Sequence, residues 1–137
     1  MRTLFLPCIG LMLLSACTAF APAVSTEARL ASKAAMAPHF ECALYFNQVN
    51  NAAGVTRSLD TAATLGEKSG LSVNEITEVY QNTKRQQNET VLAQAIAFAE
   101  QRPNLIPRIS GGPPAPNDEE QLRAWNSLYQ SKCPAAQ

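Results

Sequence analysis

Between residues 38 and 133 the large apolar residues recur at three- and four-residue steps, the period of one face of an α-helix. Phe40, Cys42, Tyr45, Phe46 and Val49 form the first such face, and Pro38 suits a helix start there because the first turn does not use its missing N–H. Val55, Leu59, Ala62, Ala63 and Leu65 form a second, punctuated by Gly54 and Gly70. Gly54 either separates the two segments or is spanned by a continuous helix. Gly70 is a candidate left-handed stop. The small alanines of this segment would let a partner helix approach closely.

The clearest start signal is Ser72 with Glu75, a capping box in which side chain and backbone bond reciprocally across the first turn. From Val73 to Gln101 the chain lacks glycine and proline, and Val73, Ile76, Val79 and Tyr80 open a stripe that Leu92, Ala95, Ile96 and Ala99 close. Between them QNTKRQQNET (residues 81–90) carries no large apolar side chain. The expected arrangement is two helices meeting at a bend, with Asn88 capping the second; one long helix crossing solvent is the alternative. Pro103 ends the pattern and opens a connector rich in proline and glycine, over which Leu105, Ile106 and Ile109 are candidates to lie on the core. Asn117 with Glu120 forms a second capping box, followed by Leu122, Trp125, Leu128 and Tyr129 at helical spacing, with Trp125 as the largest anchor. The predicted fold is all-α: a small bundle of four or five mostly antiparallel helices. No segment recurs at a fixed period, so this is not a repeat protein.

Ahead of the bundle, Arg2 precedes an uncharged run over residues 4–14, shorter than the ~20 residues a spanning helix needs but suited to the core of an export signal. The residues Leu14-Ser15-Ala16-Cys17 that end it resemble the lipobox of bacterial lipoproteins. That resemblance covers the first 17 residues and implies a processing class. Residues 1–16 would leave as the signal, and Cys17 would become the mature N-terminus, its sulfur bearing diacylglycerol and its amino group commonly acylated. With Thr18 rather than aspartate next, the class rule directs a Gram-negative lipoprotein to the periplasmic face of the outer membrane. Ordinary cleavage after Ala21 or Ala23 competes, and would release a freely periplasmic or secreted product; the first of these would leave Pro22 at the new terminus. Residues 17–37 read mostly as a tether, because a helix over TEARLASKAAM would have only Leu30 and Met36 to hold it; a short docking helix is the alternative. Residues 134–137 form a tail.

Export changes the cysteine arithmetic. Cys8 leaves with the signal and Cys17 takes lipid, so Cys42 and Cys133 remain as one pair for an oxidising compartment, with two buried thiols as the alternative. The pair would staple the first helix to the last.

Charge and chemistry narrow the function further. After Cys17, ten basic and eleven acidic side chains nearly cancel, which removes the broad positive field a nucleic-acid binder needs. Lys84 and Arg85 are the nearest thing to a basic patch; without interleaved aromatics they suit partner contact rather than nucleic acid. His39 is the sole histidine, expected in a surface or capping role at a helix entrance, and no ligand spacing accompanies it, so no metal or cofactor is expected. The residues at 88–90 match a glycosylation sequon, which matters only in a secretory pathway holding the transferase. No nucleophile elbow or phosphate-cradling glycine loop is present. The expected function is a noncatalytic envelope lipoprotein acting as a small helical binding or accessory module of inhibitor, immunity or assembly type, with membrane lipid and an envelope protein as partners. A periplasmic stress chaperone, and a small secreted enzyme whose site is assembled only in the fold, are the rivals.

Overall fold

The computed structural model describes residues 25–102 and 112–134. Four helices follow in order: α1 (Thr26–Gln48), α2 (Ala52–Lys68), α3 (Val73–Glu100) and α4 (Asp118–Tyr129). Helices consecutive in sequence run antiparallel. Residue pairs show the geometry: Phe46 meets Gly54 and Met36 meets Gly66 across α1 and α2, while Arg102 meets Glu120 at the end of α3 and the start of α4. α1 and α3 run parallel, with Arg29 on Glu75 and Glu41 on Gln87. Helix α1 touches all three of the others and is the centre of the bundle.

α1 begins at Thr26, twelve residues ahead of the expected start at Pro38, so most of the segment read as tether is helix. Three causes act there. Ser25 caps the first turn through its Oγ, which accepts from the Ala28 N–H at 3.1 Å, and the alanines that follow have the best helix propensity. Met36, at 0 % exposure, anchors the segment in the core, whereas Leu30, the other supposed anchor, is 62 % exposed. Finally Arg29 and Lys33 reach Glu75 of α3. Pro38 consequently lies inside the helix, where it removes one backbone donor; Met36 and Phe40, buried on either side, hold the helix through that defect.

The turn into α2 is made by two asparagines rather than by Gly54. Asn50 adopts φ 56°, the left-handed conformation that closes a helix, and the Asn51 N–H returns to the Phe46 carbonyl at 2.8 Å. Asn51 then caps α2 through its side chain, which accepts from the Gly54 N–H at 2.9 Å. Gly54 itself opens a buried stripe of small residues, Gly54, Ser58, Ala62 and Gly66, one per helical turn, against which α1 packs. This stripe is the face of α2 that meets α1; of the expected face Ala62 lies on it, Val55 and Leu65 pack half-buried beside it, and Leu59 is exposed. A Cβ at Gly54 would stand 2.6 Å from Phe46 Cγ. We therefore expect Gly54→Ala to destabilise by about 1–3 kcal/mol, net of any gain in helix propensity, because a buried ring cannot shift as a flexible chain end can. Chemical denaturation would check this; a variant as stable as the parent would show that the α1–α2 contact is looser than described.

Gly70 ends α2 as expected, at φ 66°, and the Leu71 N–H bonds back to the Gly66 carbonyl at 3.0 Å while its side chain is buried. Both capping boxes form, Ser72 with Glu75 and Asn117 with Glu120.

α3 is one helix of 28 residues, not two meeting at a bend. The polar stretch that suggested a break contributes Thr83 and Gln87 to a buried stripe that continues through Val91, Ala95 and Ala99 at four-residue steps. Gln87 is tolerated there because its Nε2 donates to the Glu41 carbonyl of α1 at 3.0 Å. Asn88 is exposed mid-helix and caps nothing. On α4, Leu122 points outward at 44 % exposure, and Glu120 and Ala124 occupy the inner face together with Trp125 and Tyr129. The expected positions of Leu105, Ile106 and Ile109 fall outside the described residues.

Two apolar clusters result. Met36, Phe40, Ala62 and Leu71 fill one end of the bundle, where the Phe40 and Tyr80 rings meet edge to face with centroids 5.4 Å apart. Tyr45, Phe46, Val91, Trp125 and Tyr129 fill the other, beside the bond between Cys42 and Cys133.

Candidate binding groove

α2 and α3 both pack chiefly on α1 and meet one another where Ile76 lies against Gly66; farther along, a strip of α1 lies uncovered between them. The result is a groove of about 320 Å³ with a floor of Ala43 and Leu44, walls supplied by Val55 and Leu59 of α2 and Tyr80 of α3, and Trp125 reaching it from α4. Asn47, Gln48, Lys84 and Asn88 complete its lining with polar groups. Leu44 and Val55 are half-buried, and Leu59 is exposed, so the walls offer apolar area to a ligand without leaving the core open.

Of the two residues singled out as a partner surface, the groove takes one. Lys84 lines it and is exposed, forming no ion pair among the described residues. Arg85 is not among the groove residues; it lines an adjoining shallow depression with Lys84, Asn88 and Glu89, and donates from Nη2 to Asn82 Oδ1 at 2.9 Å. Cys17 lies outside the described residues. Cys42 and Cys133 are joined, with Cα atoms 5.3 Å apart. His39 is half-buried well inside α1 rather than at a helix entrance, a consequence of the earlier start of that helix. Among the described residues no group of three histidine, cysteine or carboxylate side chains is placed to hold a metal ion.

Three polar nodes brace the bundle around the groove. At one end Glu75 accepts both Arg29 Nη2 contacts, at 2.7 and 2.6 Å, with Lys33 Nζ 3.6 Å away. At the other, Arg102 forks onto Glu120, with Nε to Oε1 at 2.7 Å and Nη2 to Oε2 at 2.6 Å, while the Asn117 N–H donates to the same carboxylate. The third surrounds Tyr129. Burial pushes its phenol above the ordinary value, the Glu41 carboxylate adds to this, and the Gln87 amide beside it partly offsets both. Gln87 Oε1 is buried there without a hydrogen-bond partner. Neither Gln87 nor Glu120 was singled out from the sequence as a core residue. The available signal was spacing: each sits four residues from the next small buried position, Val91 and Ala124 respectively.

The two end nodes set the acid response. The Ser72 backbone N–H, then Arg29, then the Ser72 hydroxyl hold the Glu75 carboxyl down, from 4.5 to about 2. Arg102 foremost, helped by the Asn117 N–H against the cost of burial, lowers Glu120. A carboxylate whose folded pKa is depressed adds stability that is complete above its unfolded pKa and is lost as pH falls through the folded one. Thermal midpoints should therefore stay level from pH 7 to about 5 and fall between about pH 4 and 2, and Glu75→Gln with Glu120→Gln should flatten that fall while lowering the midpoint at pH 7. Parent and double variant tracking each other throughout would refute the assignment. This response is a graded loss of clasps at strongly acid pH, not a switch set near pH 5.

No helix among the described residues is long and apolar enough to cross a membrane. No family model, curated protein or solved structure matches the chain at a significant level.

Proposed function

We propose that the chain is a noncatalytic envelope module, anchored by lipid on Cys17, that binds another envelope protein through the groove between α2 and α3. The observation that carries this reading is the groove itself: a concave surface on a braced scaffold, with apolar walls, Trp125 reaching it from α4, and polar groups lining the rest. The Cys42–Cys133 bond supports export, since such bonds persist in oxidising compartments.

The early start of α1 sharpens the anchored arrangement. Only residues 18–24 separate Cys17 from the Ser25 cap, a reach of at most ~28 Å when extended. The domain is thus held close to the bilayer by the Thr26 end of α1. Its groove, built around residues 43–48, lies about 27 Å or more along the same helix at ~1.5 Å per residue, toward the end that faces away. One acyl chain gives marginal attachment, and the two or three of this class make release unfavourable.

Photo-crosslinking in a lipoprotein-processing host tests the reading. A crosslinkable residue at Asn47, on the groove, should yield discrete protein adducts, whereas one at Arg57, exposed and not among the groove residues, should not. In the same cells Cys17→Ala should abolish lipidation and detergent-phase partitioning. Absence of adducts from Asn47 overturns the binding role; an unmodified soluble product from the parent chain overturns the anchor.

A further inference from the structure

We infer that the groove takes an apolar peptide segment that carries a carboxylate, with Lys84 as the group that receives the charge. The inference rests on the binding role proposed above and specifies its partner by chemistry. Among the described residues Lys84 is the only charged one lining the groove, and no described aspartate or glutamate joins it there. None of the described carboxylates pairs with its ammonium group, although Lys33, Arg29 and Arg102 are all paired. An unpaired cation beside apolar walls gains more from a ligand carboxylate than it would in open water, because the walls exclude solvent from one side of the pair.

The amides decide between a peptide and other anions. The side chains of Asn47, Gln48 and Asn88 make no hydrogen bond to a described residue, and each offers both donors and an acceptor. A peptide backbone presents N–H and C=O groups that can satisfy both. An anionic lipid or a fatty acid presents mainly acceptors and would engage only the amide donors, leaving their oxygens to water. Size points the same way, since about 320 Å³ is at the lower end of ligand pockets, which run from roughly 300 to 1,000 Å³, and suits a few side chains rather than a whole helix. Leu44, Val55 and Leu59 supply the apolar contact, so the segment should place a large aliphatic or aromatic residue beside its acid.

Selection from a displayed library of random decapeptides, against the mature chain with its disulfide intact, tests this. Enriched peptides should pair aspartate, glutamate or a free C-terminus with a large apolar residue, and should move the Trp125 indole resonance in NMR titration. Lys84→Glu should weaken the best of them at least tenfold and turn a repeated selection toward basic peptides. Leu59→Gln, at an exposed wall position, should weaken them with little change in melting, which separates loss of contact from loss of fold. Enrichment of basic or uncharged peptides, indifference to Lys84→Glu, no enrichment at all, or saturable binding of oleate vesicles in place of peptide would each overturn the inference. Crosslinks from Asn47 surviving any of those results would leave the binding role standing with a different ligand chemistry; their absence would remove both.

Discussion

Reduction of the Cys42–Cys133 bond should lower the thermal midpoint by roughly 20 °C while leaving most of the helical signal at low temperature. The two cysteines are 91 residues apart. Closing a loop of that length removes unfolded-state entropy worth about 4–5 kcal/mol, and a domain of this size shifts by roughly 4–8 °C for each kcal/mol. The helices keep their own caps at Ser25, Asn51, Ser72 and Asn117, so each retains its local reason to form. What the bond holds is the position of α4, a helix of 12 residues whose main tertiary contacts are to α3 and α1. Amide exchange in reduced protein should therefore accelerate in α4 first. Melts followed by circular dichroism with and without reductant, together with Cys42→Ser/Cys133→Ser, check the magnitude; a shift under about 5 °C would mean that the unfolded chain is already constrained in other ways.

Trp125→Ala is the second large effect, expected to cost about 3–5 kcal/mol, a large share of the 5–15 kcal/mol that stabilises a typical domain. The indole is buried in the cluster with Tyr45, Phe46, Val91 and Tyr129, and its ring centroid lies 5.6 Å from that of Tyr129. Truncation leaves a cavity between α4 and the bundle that short helices cannot close by small shifts. Since Trp125 and Cys133 both secure α4, their losses should not add independently. Reduced Trp125→Ala should show no cooperative α4 protection, whereas oxidised Trp125→Phe should retain most of the parent's stability. If Trp125 served only as a platform for ligands, denaturation of the alanine variant would match the parent, and that result would remove it from the core.

The sequence by itself determined the all-helical class, the disulfide partners, the Gly70 stop and the starts of α3 and α4. These are local or combinatorial facts. A capping box acts across three residues, a left-handed glycine acts on one turn, and the two cysteines of the helical region have one intramolecular way to pair. Tertiary structure alone decided the rest. The first turns of α1 are held by Met36 in the core and by Arg29 on Glu75, 46 residues away, which no local pattern contains. α3 stays whole because Gln87 finds a carbonyl on α1, so a polar stretch that reads as a solvated break is in part a buried seam. Leu122 turns outward while Glu120 turns inward because Arg102 and the Asn117 N–H satisfy the carboxylate, reversing the usual order of burial. The groove exists for a reason of the same kind: a small-residue stripe draws α2 tightly onto α1, α3 meets α2 near Gly66 and Ile76, and what is left uncovered depends on where three helices stop touching, a property that belongs to no single one of them.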